Sequence, residues 1–167
     1  GEFCQVYYPC DANSFLAALE EAFQRPNTIS VIVADKREVP QWLTLKEARE
    51  QAKKGIGIWD WVGGKEATKN PDVVLASAGD YMTQEALHAV KLCKELVPEM
   101  KIRYVNISEL TGLCMGDYCN AAHACLDQAA VDKYFTADRP VVINYHGYTN
   151  DMEQILWPFV NPKRFSI

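Results

Sequence analysis

Residues 71–107, PDVVLASAGDYMTQEALHAVKLCKELVPEMKIRYVNI, decide the fold. The run over 72–78 is short, apolar and rich in valine, as expected of a strand buried on both faces. Apolar residues then recur at helical spacing over 83–96, and a second β-branched run follows over 101–107. A strand, a helix and a strand in that order call for a parallel sheet with a helix on its face.

The same alternation continues toward the C-terminus. A helix is expected over 127–135, a strand over 140–145, a helix over 150–159 and a last strand over 164–167. Toward the N-terminus, Val6-Tyr7-Tyr8 reads as a strand. Asp11 and Asn13 offer helix-starting oxygens ahead of Phe15, Leu16, Leu19, Ala22 and Phe23, which predicts a helix ending near Arg25, before Pro26. ISVIVA, 29–34, reads as a buried strand. Thr44 and Glu47 form a T-x-x-E capping box opening a helix that Lys53-Lys54-Gly55 closes. GIGIWDW, 55–61, reads as a further strand, and the polar, Gly- and Pro-containing residues 62–71 as a linker. The boundary between two units is placed there. Both ends of the chain look abrupt, as in a fragment, and an interrupted sheet is expected to self-associate through open strand edges.

The chain has 167 residues, 49% hydrophobic and 23% charged, with a net charge of −5. These values describe one globular domain, or one domain and part of another. Lysine and arginine never exceed two in a row, so there is no electrostatic footprint for nucleic acid or an anionic membrane. No apolar run approaches the roughly 20 residues needed to span a bilayer. The six cysteines are too sparse for a disulfide scaffold, and Cys93 in a helical run suits a buried free thiol, which points to a reducing, cytoplasmic compartment.

CMGDYCNAAHAC, 114–125, arranges Cys114, Cys119, His123 and Cys125 as C-x4-C-x3-H-x-C. Structural zinc favours paired C-x2-4-C units. The spacing fits poorly, and the stretch reads as a loop or short helix with free thiols, with zinc and a redox pair as the alternatives. His146, at the end of the strand over 140–145, and His88, within a helix, read as structural. Trp42, Trp59, Trp61 and Trp157 read as packing residues.

VYYPCDANSFLAALEEAF (6–23), ISVIVADKREVPQWL (29–43), GIGIWDW (55–61), PDVVLASAGDYMTQEALHAV (71–90) and RPVVINYHGY (139–148) together resemble the C-terminal part of phosphoketolases. Those thiamine-diphosphate enzymes split xylulose 5-phosphate or fructose 6-phosphate with inorganic phosphate, giving acetyl phosphate and an aldose phosphate. The resemblance implies an α/β fold like the C-terminal domain of transketolase, a mostly parallel open sheet with helices on both faces. It is preceded by the tail of a second α/β domain. Residues 4–61 would be the end of a pyrimidine-binding-type middle domain plus its connector, and 72–167 a C-terminal domain truncated at its end.

It further implies thiamine diphosphate and Mg in the parent enzyme, a homodimer, and a sugar phosphate and inorganic phosphate as partners. Lys36 lies just past the run over 29–34, where open α/β sheets bind ligands. It resembles the family's lysine that holds the substrate phosphate, a role suited to a compact ammonium. Asp35 stands where the family more often has glycine, and helps only if its carboxylate points away. The chain lacks a G-D-G motif and every common nucleophile or P-loop pattern. No catalytic, metal or cofactor residue is therefore expected on it, and alone it should be inactive. A non-catalytic α/β binding or regulatory module and a transketolase fragment are the alternative readings.

Overall fold

A computed structural model describes residues 3–113 and 126–167. Two sheets are present, a parallel pair β1 (Cys4–Tyr7) and β2 (Ile29–Ile32), and a five-stranded sheet. The larger sheet runs β3-β5-β4-β6-β7, from β3 (Ile56–Ile58), β4 (Val73–Ala78), β5 (Ile102–Ile107), β6 (Val141–Tyr145) and β7 (Phe165–Ser166). Only β3 is antiparallel; the rest pair in parallel, as the strand–helix alternation requires.

Helices α1 (Ala12–Phe23), α2 (Leu45–Ala52), α3 (Asp60–Gly63), α4 (Lys65–Lys69), α5 (Asp80–Leu96), α6 (Gln128–Phe135) and α7 (Thr149–Leu156) complete the architecture. Strand alternation sends Ile102 and Tyr104 to one face, against Ala17, Ala48, Val62, Ala86 and Val90 of the helices. Val74, Ala76, Val105 and Ile107 go to the other, against Val131, Phe135, Met152 and Leu156. Helices thus cover both faces, as expected of this fold class.

The two anticipated helix starts are present. Asp11 accepts the Ser14 N–H at 2.7 Å, and Thr44 and Glu47 exchange reciprocal bonds as a capping box, which holds the Glu47 carboxyl below its usual range. Asp11 does more: its second carboxylate oxygen accepts the N–H groups of Trp42 and Leu43 at 2.9 and 2.8 Å. The two sheets are joined directly as well, since Tyr8 N–H donates to the Ser108 carbonyl and Leu110 N–H to that of Val6.

Three readings change. GIGIWDW yields a strand of only Ile56–Ile58, and it pairs with β5, so the connector strand belongs to the second sheet rather than to the first unit. Residues 62–71 are not an open linker: they hold the end of α3 and all of α4. The guanidinium of Arg103, buried on β5, organises this segment by donating to the carbonyls of Thr68 and Lys69 at the end of α4 and of Lys133 and Tyr134 near the end of α6. A cation at two helix C-termini is favourable. Lastly, the sequence expects β2 to be buried, yet Ile29 is 65% exposed, because among the described residues β2 has a strand neighbour on one side only. Cys93 is half-buried and Cys10 is the fully enclosed thiol. Cys114, Cys119, His123 and Cys125 lie outside the described residues.

Candidate functional site at the strand ends

Connections leaving β4 and β6 diverge. The chain after β4 enters α5 on one face, and the chain after β6 enters α7 on the other. Neighbouring parallel strands with opposite crossovers leave a crevice outside their carboxyl ends, the usual ligand position in open α/β sheets. A cleft of about 560 Å³ opens there. Its walls are Tyr8, residues 33–35 and Arg37 from the β1–β2 unit, Ala78, Gly79, Asp80, Tyr81 and Met82 after β4, and His146 after β6. Gly79 allows the turn from β4 into α5, with φ of +96° that a side chain would oppose.

Lys36 stands on the loop at the β2 side of this cleft, exposed. Lys36 itself is not among the lining residues, whereas its neighbours Asp35 and Arg37 are. Asp35 Oδ1 accepts the N–H groups of Lys36 and Arg37, at 2.6 and 3.2 Å, while Asp35 remains an exposed part of the cleft wall. Asp80 reaches across from α5, accepting the Asp35 N–H on Oδ2 at 2.6 Å and the Tyr81 N–H on Oδ1 at 2.6 Å. Both oxygens of Asp80 and one of Asp35 are thus engaged by backbone donors, while Lys36 is exposed and Arg37 lines the cleft.

Tyr8 and Tyr145 meet at the cleft, ring edge to face at 5.7 Å, with their hydroxyls 3.2 Å apart. Burial, with Tyr8 adding to it, pushes the Tyr145 hydroxyl well above the ordinary phenol value, so it stays protonated. His146, which reads as structural from the sequence, is exposed at the cleft mouth and makes no hydrogen bond with the described residues. His88 is exposed on α5. Asp80, Arg37 and Tyr8 were not singled out from sequence; the one signal for Asp80 was its position directly after a strand and a glycine.

Behind the cleft lies a buried polar chain. Trp59 Nε1–H donates to Gln51, Gln51 to Asn106, and Asn106 to Thr83, at 2.8, 2.7 and 2.9 Å. Thr83 in turn donates to the Gly79 carbonyl at 2.6 Å, and the Ser77 hydroxyl bonds both Thr83 and Tyr104. Gly57 makes room for it: a Cβ there would stand 2.2 Å from Gln51 Oε1. Trp59 fits its packing assignment, stacked on Trp61 at 5.4 Å, whereas Trp61 and Trp157 are largely exposed.

The diphosphate and metal of thiamine enzymes need a G-D-G segment. Of the two Gly-Asp pairs here, Asp80 has both oxygens on backbone N–H groups, and Gly116-Asp117 lies outside the described residues. Among the described residues no three His, Cys, Asp or Glu side chains converge as a metal set. The described residues do not fit that group. No helix among them is long and apolar enough to cross a membrane.

The fold is that of the transketolase class. A fructose-6-phosphate complex of a transketolase variant from Pichia stipitis superposes with a TM-score of 0.67 at 15% identity, over 91% of this chain and 19% of that one. Transketolase from Leishmania mexicana gives 0.59 at 16% identity, over 92% and 20%. Within that class the sequence is more particular: the XFP C-terminal domain family matches residues 36–167, and the chain belongs to it, as the C-terminal portion of a phosphoketolase. A probable phosphoketolase of Brucella abortus is 36% identical over 99% of this chain and 20% of its own length. That of Chlorobaculum tepidum is 42% identical over 86% and 18%. The chain therefore spans about one fifth of the length of the curated relatives it matches.

Proposed function

We propose that this chain serves a thiamine-diphosphate- and Mg-dependent phosphoketolase, an aldehyde-lyase splitting xylulose 5-phosphate or fructose 6-phosphate with inorganic phosphate into acetyl phosphate and an aldose phosphate. The parent is a cytoplasmic homodimer, and this segment is inactive without the rest of it. Lys36 takes the phosphate of the sugar substrate. One observation carries the reading: Asp35 and Arg37, on either side of Lys36, line the strand-end cleft. The ammonium is exposed and its neighbouring carboxylate is turned onto backbone, which leaves the charge available to a phosphate oxygen.

In the parent, the β1–β2 pair with α1 is the end of the pyrimidine-binding-type unit. The boundary drawn at 62–71 moves upstream, toward the loop over 33–44, because β3 is already a strand of the second sheet. The test is acetyl phosphate formation by the full-length enzyme with and without Lys36→Ala. The variant should raise the ketose-phosphate KM by about tenfold or more, the worth of one charge-assisted hydrogen bond. An unchanged KM removes Lys36 from the site, and no acetyl phosphate from the parent enzyme removes the reaction.

A further inference from the structure

The loop that carries Lys36 has no regular secondary structure between β2 and α2, and its internal bonds, such as those of Asp35 Oδ1 with the Lys36 and Arg37 N–H groups, are local and do not tie it to the rest of the fold. Two aspartates from elsewhere do. Asp11, buried at the start of α1, holds the far end through Trp42 and Leu43. Asp80, at the first position of α5, holds the near end through the Asp35 N–H, across 45 residues of sequence. The turn that presents Asp80 is itself immobilised, because Thr83 and Asn106, both fully buried, tie the start of α5 to the sheet.

We infer that Asp80 is a positioning residue for Lys36, by which the five-stranded sheet sets the place of the substrate-phosphate cation on the neighbouring unit. This rests on the reading of Lys36 as the phosphate ligand. Asp80 does not contact the phosphate, since a carboxylate there would repel it; its oxygens are engaged by the N–H groups of Asp35 and Tyr81. Removing the carboxylate frees the Asp35 peptide, and the ammonium then has to be ordered at the expense of substrate binding. The effect falls on KM, because the charge itself and the chemistry are untouched.

The experiment is steady-state kinetics of acetyl phosphate formation by the full-length enzyme as wild type, Lys36→Ala, Asp80→Ala, Asp80→Asn and the double variant Lys36→Ala/Asp80→Ala. Asp80→Ala should raise the ketose-phosphate KM by about tenfold, with kcat within about twofold. Asp80→Asn, whose amide oxygen still accepts the Asp35 N–H, should recover part of this, leaving about a threefold rise. In the Lys36→Ala background the Asp80 change should add less than about twofold, the mark of two residues acting through one contact. If Asp80→Ala fails to fold, Asp80→Asn with and without Lys36→Ala carries the same test. A wild-type KM for the Asp80 variants, or a full rise in the absence of Lys36, overturns the positioning role while leaving Lys36 as ligand. A Lys36→Ala enzyme of unchanged KM overturns both.

Discussion

All six residues of β5 are buried, whereas β2 alternates exposed and half-buried positions along its four. Both strands are short and carry three β-branched residues each, in IRYVNI and ISVI, and the more buried one is the more polar, with Arg103 and Asn106. They differ in neighbours. β5 lies between β3 and β4 with helices on both faces, while among the described residues β2 pairs only with β1. Burial is a property of what surrounds a strand, and composition reports only the capacity for it.

The largest effect expected from this contrast is in the five-stranded unit. Phe135, 1% exposed and against Phe165, should cost about 3–5 kcal/mol when truncated to alanine. Urea denaturation measures it, and a loss below about 1 kcal/mol would mean the sheet is not packed as described. Next is Arg103→Met, which leaves carbonyls at two helix ends unpaired and should cost about 2 kcal/mol. An unchanged midpoint would show that solvent takes over those carbonyls.

An alkaline limb should follow. Burial pushes the hydroxyls of Tyr7 and Tyr104 up to about 12, with the Glu109 carboxylate adding to the rise in Tyr7. The folded chain then keeps protons that the unfolded chain releases near pH ~10. Their stabilisation is complete below that pH and is lost as pH rises through about 12. Tyr104→Phe should flatten the limb in a pH series of melting curves; a limb of unchanged slope would assign it to other groups. The smallest effect belongs to β2, where Val31→Ala should shift stability by no more than about 0.5 kcal/mol. Val31→Lys should instead lower self-association of the isolated chain through the open edge, read by sedimentation. A chain that is monomeric before the change would break the comparison at its exposed end.

Helices and strands were legible where a local pattern exists. The T-x-x-E box, the Asp11 cap and the apolar runs all carry their own signal, and α6, α7 and β4–β6 fall within a few residues of expectation. What the sequence hid are long-range decisions. Nothing in GIGIWDW says that its strand runs antiparallel to β5, and nothing in residues 62–71 announces Arg103, which gathers them from another element. α5 starts at Asp80 rather than Thr83 because the turn at Gly79 and the contact with Asp35 fix its first residues. Lys36 is proposed from its place after an apolar run and from the family resemblance. Asp80, 45 residues from Asp35, comes into view only when both sheets are assembled.

The membership of β3 also determines what can be excised. A chain cut after residue 71 loses the edge strand that covers Val105, Asn106 and Ile107, together with Gln51, whose amide donates to Asn106. Bare backbone along the most enclosed strand invites aggregation. The smallest autonomous folding unit therefore begins ahead of α2. Limited proteolysis is expected to cut between the sheets in the irregular loop over 33–44, between its ties at Asp35 and Trp42.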